Sequence, residues 1–145
     1  MKLKDIIVEN LIHGVAHDEV APLGINVRSD KKISYADLIV DGKKMYESRK
    51  GKSLVPFVGH TVSIIRTGKG PAKAIGCATI GKPFRVNEKQ FRELENKHLV
   101  PEGSAFDIEP GGTKVLYPML NAKRYHKEYD VSNTGNIFVA RKVIK

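Results

Sequence analysis

The apolar, β-branched runs of this chain are short, and turn residues break each of them. Residues 62–66, 73–80, 115–120 and 137–144 are the clearest. Thr67-Gly68-Lys69-Gly70-Pro71 separates the first two, and Pro110-Gly111-Gly112 precedes the third. Runs of this length, rich in Val, Ile and aromatic residues, read as strands. The first two read as a hairpin with a longer loop. None approaches the roughly 20 apolar residues that a membrane-spanning helix needs. Short strands must therefore be brought together by the fold, and few helices are available to cover them.

Two helix starts are signalled. Ser34 is a good N-cap with Asp37 three residues on, Ile33 and Leu38 have staple spacing, and Gly42 sits where a C-terminal glycine belongs, so residues 34–41 are expected to be helical. Asn87 and Gln90 repeat the box pattern, with Val86 and Phe91 as the staple, and Val100-Pro101 ends the second helix after His98. The N-terminal run Ile6-Ile7-Val8 is either a strand or a short helix. Residues 13–32 read mainly as loop, with a turn at Ala21-Pro22-Leu23-Gly24 and a short strand at Ile25-Asn26-Val27. The sum is an α+β fold of five or six strands and two or more short helices, expected to form a small mixed β-barrel. A length of 145 residues fits one domain, 1–145.

Lys and Arg number 25 against 16 Asp and Glu, a net charge of +9, which favours a polyanionic partner such as RNA or merely confers solubility. One cysteine excludes an internal disulfide and a Cys-based zinc cluster; Cys77 lies in an apolar run and is expected to be buried. The first ten residues reach acids at Asp5 and Glu9 and lack a long apolar core, so no signal peptide is read; a cytoplasmic location and no membrane partner are expected. No cofactor and no metal site is expected. His13 and His17 have helical spacing without a third ligand. Gly68-Lys69-Gly70 lacks Walker A spacing, and Ser104, His98 and Asp107 have triad letters without a nucleophile elbow.

The basic charge concentrates in residues 42–52, where Lys43, Lys44, Arg49, Lys50 and Lys52 face the single acid Glu47. Strand alternation would put Lys44, Tyr46 and Ser48 on one face and Met45, Glu47 and Arg49 on the other. Gly42-Lys43-Lys44-Met45-Tyr46-Glu47-Ser48-Arg49 resembles the G-x-K-x-x-E-x-R pattern of the ASCH domain, of the PUA-like superfamily: Gly42, Lys44, Glu47 and Arg49 match its fixed positions. The preceding helix, the hairpin carrying Ala74-Ile75-Gly76, and the later helix and strand also fall in family order, so the resemblance spans about residues 33–120. Residues 1–30 would be an N-terminal extension.

The resemblance implies a PUA-like β-barrel with a cleft beside the motif strand, and an RNA or nucleotide partner. Some relatives are reported as nucleases, and a compact subgroup hydrolyses acetylated cytidine nucleosides. In that subgroup the motif lysine and a glutamate after the second helix are catalytic, with a threonine inside the motif. Lys44 matches the lysine, Glu102 stands at the glutamate's place, and Glu47 occupies the threonine position, a departure from the subgroup.

Beside the resemblance, each residue keeps a plainer reading. Lys44 holds a phosphate, acts as a base if burial lowers its pKa, or is a solvated lysine. Glu47 is a general base or hydrogen-bond acceptor, or it pairs with Arg49 or Lys44. Arg49 forks onto a phosphate or onto a carboxylate. Tyr46 stacks on a base or packs at the rim. Glu102 is a general acid or base, or lies in an exposed turn. Lys50, Lys52, Arg66, Lys69 and Lys73 form a basic rim if the hairpin lies near the motif strand. Tyr125 and Tyr129, interleaved with Lys123, Arg124 and Lys127, extend an RNA surface or pack on the barrel. A protein-interaction module without a nucleic-acid role is the third functional class.

Overall fold

A computed structural model describes residues 18–133 and 139–145. The run Ile6-Ile7-Val8, the His13/His17 pair and residues 137–138 of the last apolar run lie outside the described residues. Within them are strands β1 (Leu23–Arg28), β2 (Tyr46–Arg49), β3 (Thr61–Thr67), β4 (Lys73–Ile80), β5 (Phe84–Asn87), β6 (Thr113–Val131) and β7 (Ala140–Ile144). The helices are α1 (Tyr35–Val40), α2 (Glu88–Glu93) and α3 (Glu95–His98). This is an α+β mixed sheet of seven strands.

The expected hairpin is β3–β4, antiparallel with Val62 opposite Ala78. The other pairings run β4–β6, β3–β1 (parallel), β1–β7 and β6–β7, so hydrogen bonding returns to β6 and closes a ring. β2 and β5 flank the first half of β6. One strand reaches so many partners because it is 19 residues long and bends. Its pairing with β4 shifts register between Cys77 and Thr79, and Asn121 there has φ +52°, a left-handed conformation that Asn tolerates. The apolar run ends at that bend, which is why the sequence shows a strand over 115–120 only. Beyond it Tyr125 and Tyr129 are the residues that bury, with Ala122 and Val131 half-buried against the core. Both tyrosines are buried, the Tyr125 hydroxyl 2.7 Å from Ser63 Oγ and the Tyr129 hydroxyl donating to Asp18 at 2.9 Å. Of the two readings of these tyrosines, packing on the sheet is the observed one.

Both helix-start signals are realised. The Ser34 side chain accepts from the Asp37 amide, and Asn87 and Gln90 exchange bonds of 2.8 and 2.9 Å. The second helix differs from its expected single span: it breaks at Leu94 into α2 and α3, and the chain before it adds to β6 as β5. α1 lays Tyr35, Ala36, Ile39 and Val40 over the core residues Ile25, Val27, Ile64 and Ile75. Each buried isoleucine contributes roughly 1.5–3 kcal/mol. A second cluster behind β3 and β4 holds Ile65, Ala74, Tyr125, Tyr129 and Cys77, buried as expected. Among the described residues no helix is long and apolar enough to cross a membrane.

Candidate functional site

A cavity of about 310 Å³ opens between β2, β1 and the start of α1. The approach to it is set by residues 41–45. Gly42, at φ +75°, turns the chain back from α1. The Lys43 and Lys44 amides both donate to the Leu38 carbonyl at 2.9 Å, and the Met45 amide donates to Lys97 at 2.8 Å. Lys44 is thereby held in a stretch that precedes β2 and does not follow its alternation. Its side chain goes to the cavity with Glu47 and Arg49, not outward with Tyr46 as alternation had implied. Tyr46 instead meets Phe84 edge to face, ring centroids 5.3 Å apart, and does not line the cavity.

Lys44 is 1% exposed. Its ammonium donates to the His98 carbonyl, lies 3.8 Å from Glu47 Oε1 and stands 4.9 Å over the Tyr35 ring. Burial dominates and lowers its pKa to about 8, with the Arg49 and Lys114 charges adding to the effect and the Glu47 carboxylate opposing it. Glu47 is itself buried and receives Arg49 Nε at 2.9 Å. Arg49 Nη2 also donates to the Asn26 carbonyl at 2.7 Å, which ties β2 to β1 across the cavity floor.

His98 carries this arrangement without entering it. Its Nδ1 accepts from the Val100 amide at 3.0 Å, so Nε2–H donates to the Phe91 carbonyl at 2.7 Å, and the ring stacks on Phe91 at 3.8 Å. Burial pushes its pKa down to about 4. The neutral ring fixes α3, whose last carbonyl holds Lys44.

The remaining candidates separate. Glu102 stands in the turn after α3, 75% exposed, 3.9 Å from Arg92 and off the cavity wall. Asp107 takes the better bonds of Arg92, and its pKa falls to about 2 for that reason first. Lys50 and Lys52 are exposed just beyond β2. Thr67 lines the cavity and Gly68 approaches Arg28, so Lys69 stands exposed at a turn beside the rim. Arg66 does not join them: it pairs with Glu128 at 2.8 Å and Asp37 at 3.4 Å, beside Arg124. Lys73 pairs with Asp130.

Sequence reasoning missed Asn26, Arg28, Tyr35, Phe106 and Arg141, which complete the wall. Arg28 is brought there by β1–β3 pairing, where it opposes Thr67, and Arg141 by β1–β7 pairing, where it opposes Gly24; long-range pairing leaves no local mark. Tyr35 could have been found, as the one aromatic residue at the start of the capped helix that leads into the motif. With Arg28, Lys44, Arg49 and Arg141 against Glu47, the cavity is cationic. Ser48 and Arg141 line the cavity, but Ser48 Oγ and Arg141 Nε themselves are sealed from solvent with no hydrogen-bond partner among the described residues.

No family model and no curated protein matches the chain. Solved structures do. The ASCH protein of Zymomonas mobilis superposes with a TM-score of 0.56 at 16% identity, covering 70% of this chain and 69% of that one. A Ser-to-Ala variant of that protein gives 0.56 at 16%, with 70% of each chain covered. A Tyr-to-Phe variant gives 0.56 at 14%, over 79% of this chain and 77% of that one. The chain therefore has the fold of these ASCH structures, as its motif implied.

Proposed function

We propose that this chain is an RNA- or nucleotide-binding ASCH domain whose ligand enters the cavity beside the motif strand, on a PUA-like barrel formed by the closed ring of strands. The observation that carries the reading is the cavity itself. At about 310 Å³ it lies at the small end of ligand pockets and suits one nucleoside unit. Arg28 and Arg141 offer guanidinium groups to a phosphate, Tyr35 and Phe106 offer apolar ring surface to a base, and Glu47 accepts from a hydroxyl or amine. Lys50, Lys52 and Lys69, exposed near the mouth, extend the contact to flanking phosphates. Filter binding to single-stranded RNA over a salt series tests it. Affinity should fall with salt, and Lys44→Ala and Arg49→Ala should each weaken binding at least about tenfold. Binding unchanged in both variants would sink the reading.

A second reading draws on the buried Lys44 amine with its pKa lowered to about 8. A lysine so placed exchanges a proton near neutral pH and, with Glu47 3.8 Å away, could activate water against an amide of a modified nucleoside. Incubation with N4-acetylcytidine and with labelled RNA separates the two readings. No product, or equal product from Lys44→Ala, removes the hydrolase. Glu102, at the place of the subgroup's glutamate, would need to turn inward for that reaction; unchanged turnover in Glu102→Gln would exclude its part in it.

A further inference from the structure

β2 is an edge strand; among the described residues it pairs with β6 alone. Register decides which of its main-chain groups are spare. The Met119 amide donates to the Met45 carbonyl at 2.9 Å, so Met45 and Met119 form a bonded pair. Antiparallel ladders alternate bonded and open pairs. Glu47/Tyr117 and Arg49/Val115 are then bonded, and Tyr46/Pro118 and Ser48/Leu116 are open. Pro118 agrees with this: it has no N–H, and its carbonyl accepts from Gly81 at 2.8 Å on the other side of β6. The Ser48 amide and carbonyl therefore face the outer edge of β2. Ser48 lines the cavity between Glu47 and Arg49. Those two residues send their side chains to one face, so the side chain of Ser48 takes the other, and it meets the cavity with its main chain.

We propose that the Ser48 amide and carbonyl read the hydrogen-bonding edge of a nucleobase. The amide would donate to a ring carbonyl or ring nitrogen, and the carbonyl would accept from the adjacent N–H. An extended residue presents these two groups side by side, as it does to a neighbouring strand, and the amide or amidine edge of a base is the complement of that pair. Tyr35 and Phe106, whose rings meet edge to face at 5.9 Å, supply flat apolar surface on the same cavity. The enclosed volume favours a heterocycle over an extended peptide added to the strand edge. The proposal rests on the nucleotide reading above and specifies how the base is recognised.

Isothermal titration with the four ribonucleoside monophosphates and with ribose 5-phosphate identifies the preferred base. The decisive probe is that nucleotide methylated on the N–H of its pairing edge, 3-methyluridine monophosphate where uridine binds best. The wild-type protein should bind the methylated form at least about tenfold more weakly than the parent, near the level of ribose 5-phosphate. The Ser48 amide resonance should shift with the parent and stay in place with the analogue. Ser48→Pro deletes the outward N–H without touching the ladder, so it should fold and lose discrimination between the two; Ser48→Ala should keep it. Equal binding of parent and analogue by the wild-type protein overturns this proposal and leaves nucleotide binding standing. Failure of all five compounds to bind overturns both.

Discussion

Lys44 Nζ lies 3.8 Å from Glu47 Oε1, with the two side chains 1% and 9% exposed. Such a pair is expensive to bury, and Arg49 on the glutamate, with the His98 carbonyl and the Tyr35 ring on the lysine, offsets part of the lost hydration. The pKa of Lys44 near 8 records that the balance still disfavours its charge. In the window from 8 to 10.5 the unfolded chain binds more protons at this site than the folded one, so the site's contribution to stability rises with pH through the window.

Replacing Lys44 should remove this cost, and with it the ligand binding proposed for the cavity. Lys44→Met keeps the length and leaves Glu47 paired with Arg49. It should raise stability at pH 7 by about 1–2 kcal/mol, with the gain shrinking toward zero at pH 10.5. Urea unfolding of wild type and variant at pH 7, 9 and 10.5 checks the sign. A variant less stable than wild type at pH 7 would mean that the pair is net favourable. Binding to RNA should be lost in either case.

His98 governs the acid side. Its pKa of about 4 lies below the ordinary 6.5, so the folded state binds fewer protons between those values. Stability should fall as pH drops through 6.5 and reach its full loss near 4, by up to about 3 kcal/mol. The paired carboxylates Asp37 and Asp107, both with lowered pKa, add to the loss only below the ordinary carboxylate value of 3.8. His98→Gln retains a donor and an acceptor and should flatten the wild-type slope between pH 6.5 and 4 in thermal melts. An unchanged slope would place the titrating group elsewhere.

Arg49 holds Glu47 through Nε and the Asn26 carbonyl through Nη2, two bonds in different directions. Arg49→Ala should cost about 3 kcal/mol, much of it from leaving the Glu47 charge buried with a single cation. Arg49→Lys should recover less than half of that, since an ammonium cannot span both acceptors. Adding Glu47→Gln to Arg49→Ala should restore part of the loss, because no carboxylate is then left unpaired. Strict additivity in that double-mutant cycle would contradict the coupling.

What the sequence revealed follows from the range of the interactions. Helix caps at Ser34 and Asn87 were legible because each is closed by residues three positions apart. So were the β3–β4 hairpin and the motif from Gly42 to Arg49. The first half of β6 was legible from its apolar run; its continuation past Asn121 was not, because the inward tyrosines sit among charges. Lys44 and Glu47 could be named as a site, but their burial could not, since it depends on α3 and Tyr35 closing over them. Arg28 and Arg141 stayed hidden until β1 paired with β3 and β7. Glu102 was drawn in by its place in the family order, and solvent claims it because Arg92 turns to Asp107 instead.

Gly76 shows how closely the sheet must fit beneath the site. A Cβ there would lie 2.3 Å from the Lys123 carbonyl oxygen and 2.5 Å from Val40 Cγ1. The first contact is main chain within the irregular stretch where β6 bends, and the second belongs to the last turn of α1. Neither can withdraw without opening the β4–β6 pairing or lifting the helix. Gly76→Ala should therefore cost about 3 kcal/mol. Gly42→Ala, with open space around it and only a left-handed φ of +75° to strain, should cost about 1 kcal/mol. Urea unfolding distinguishes them, and equal losses would refute the steric account. Because α1 carries Tyr35 and delivers the chain to Lys44, Gly76→Ala should also weaken RNA binding from outside the cavity. If instead it destabilises the protein with affinity unchanged under conditions where it stays folded, α1 adjusts independently of the site it introduces.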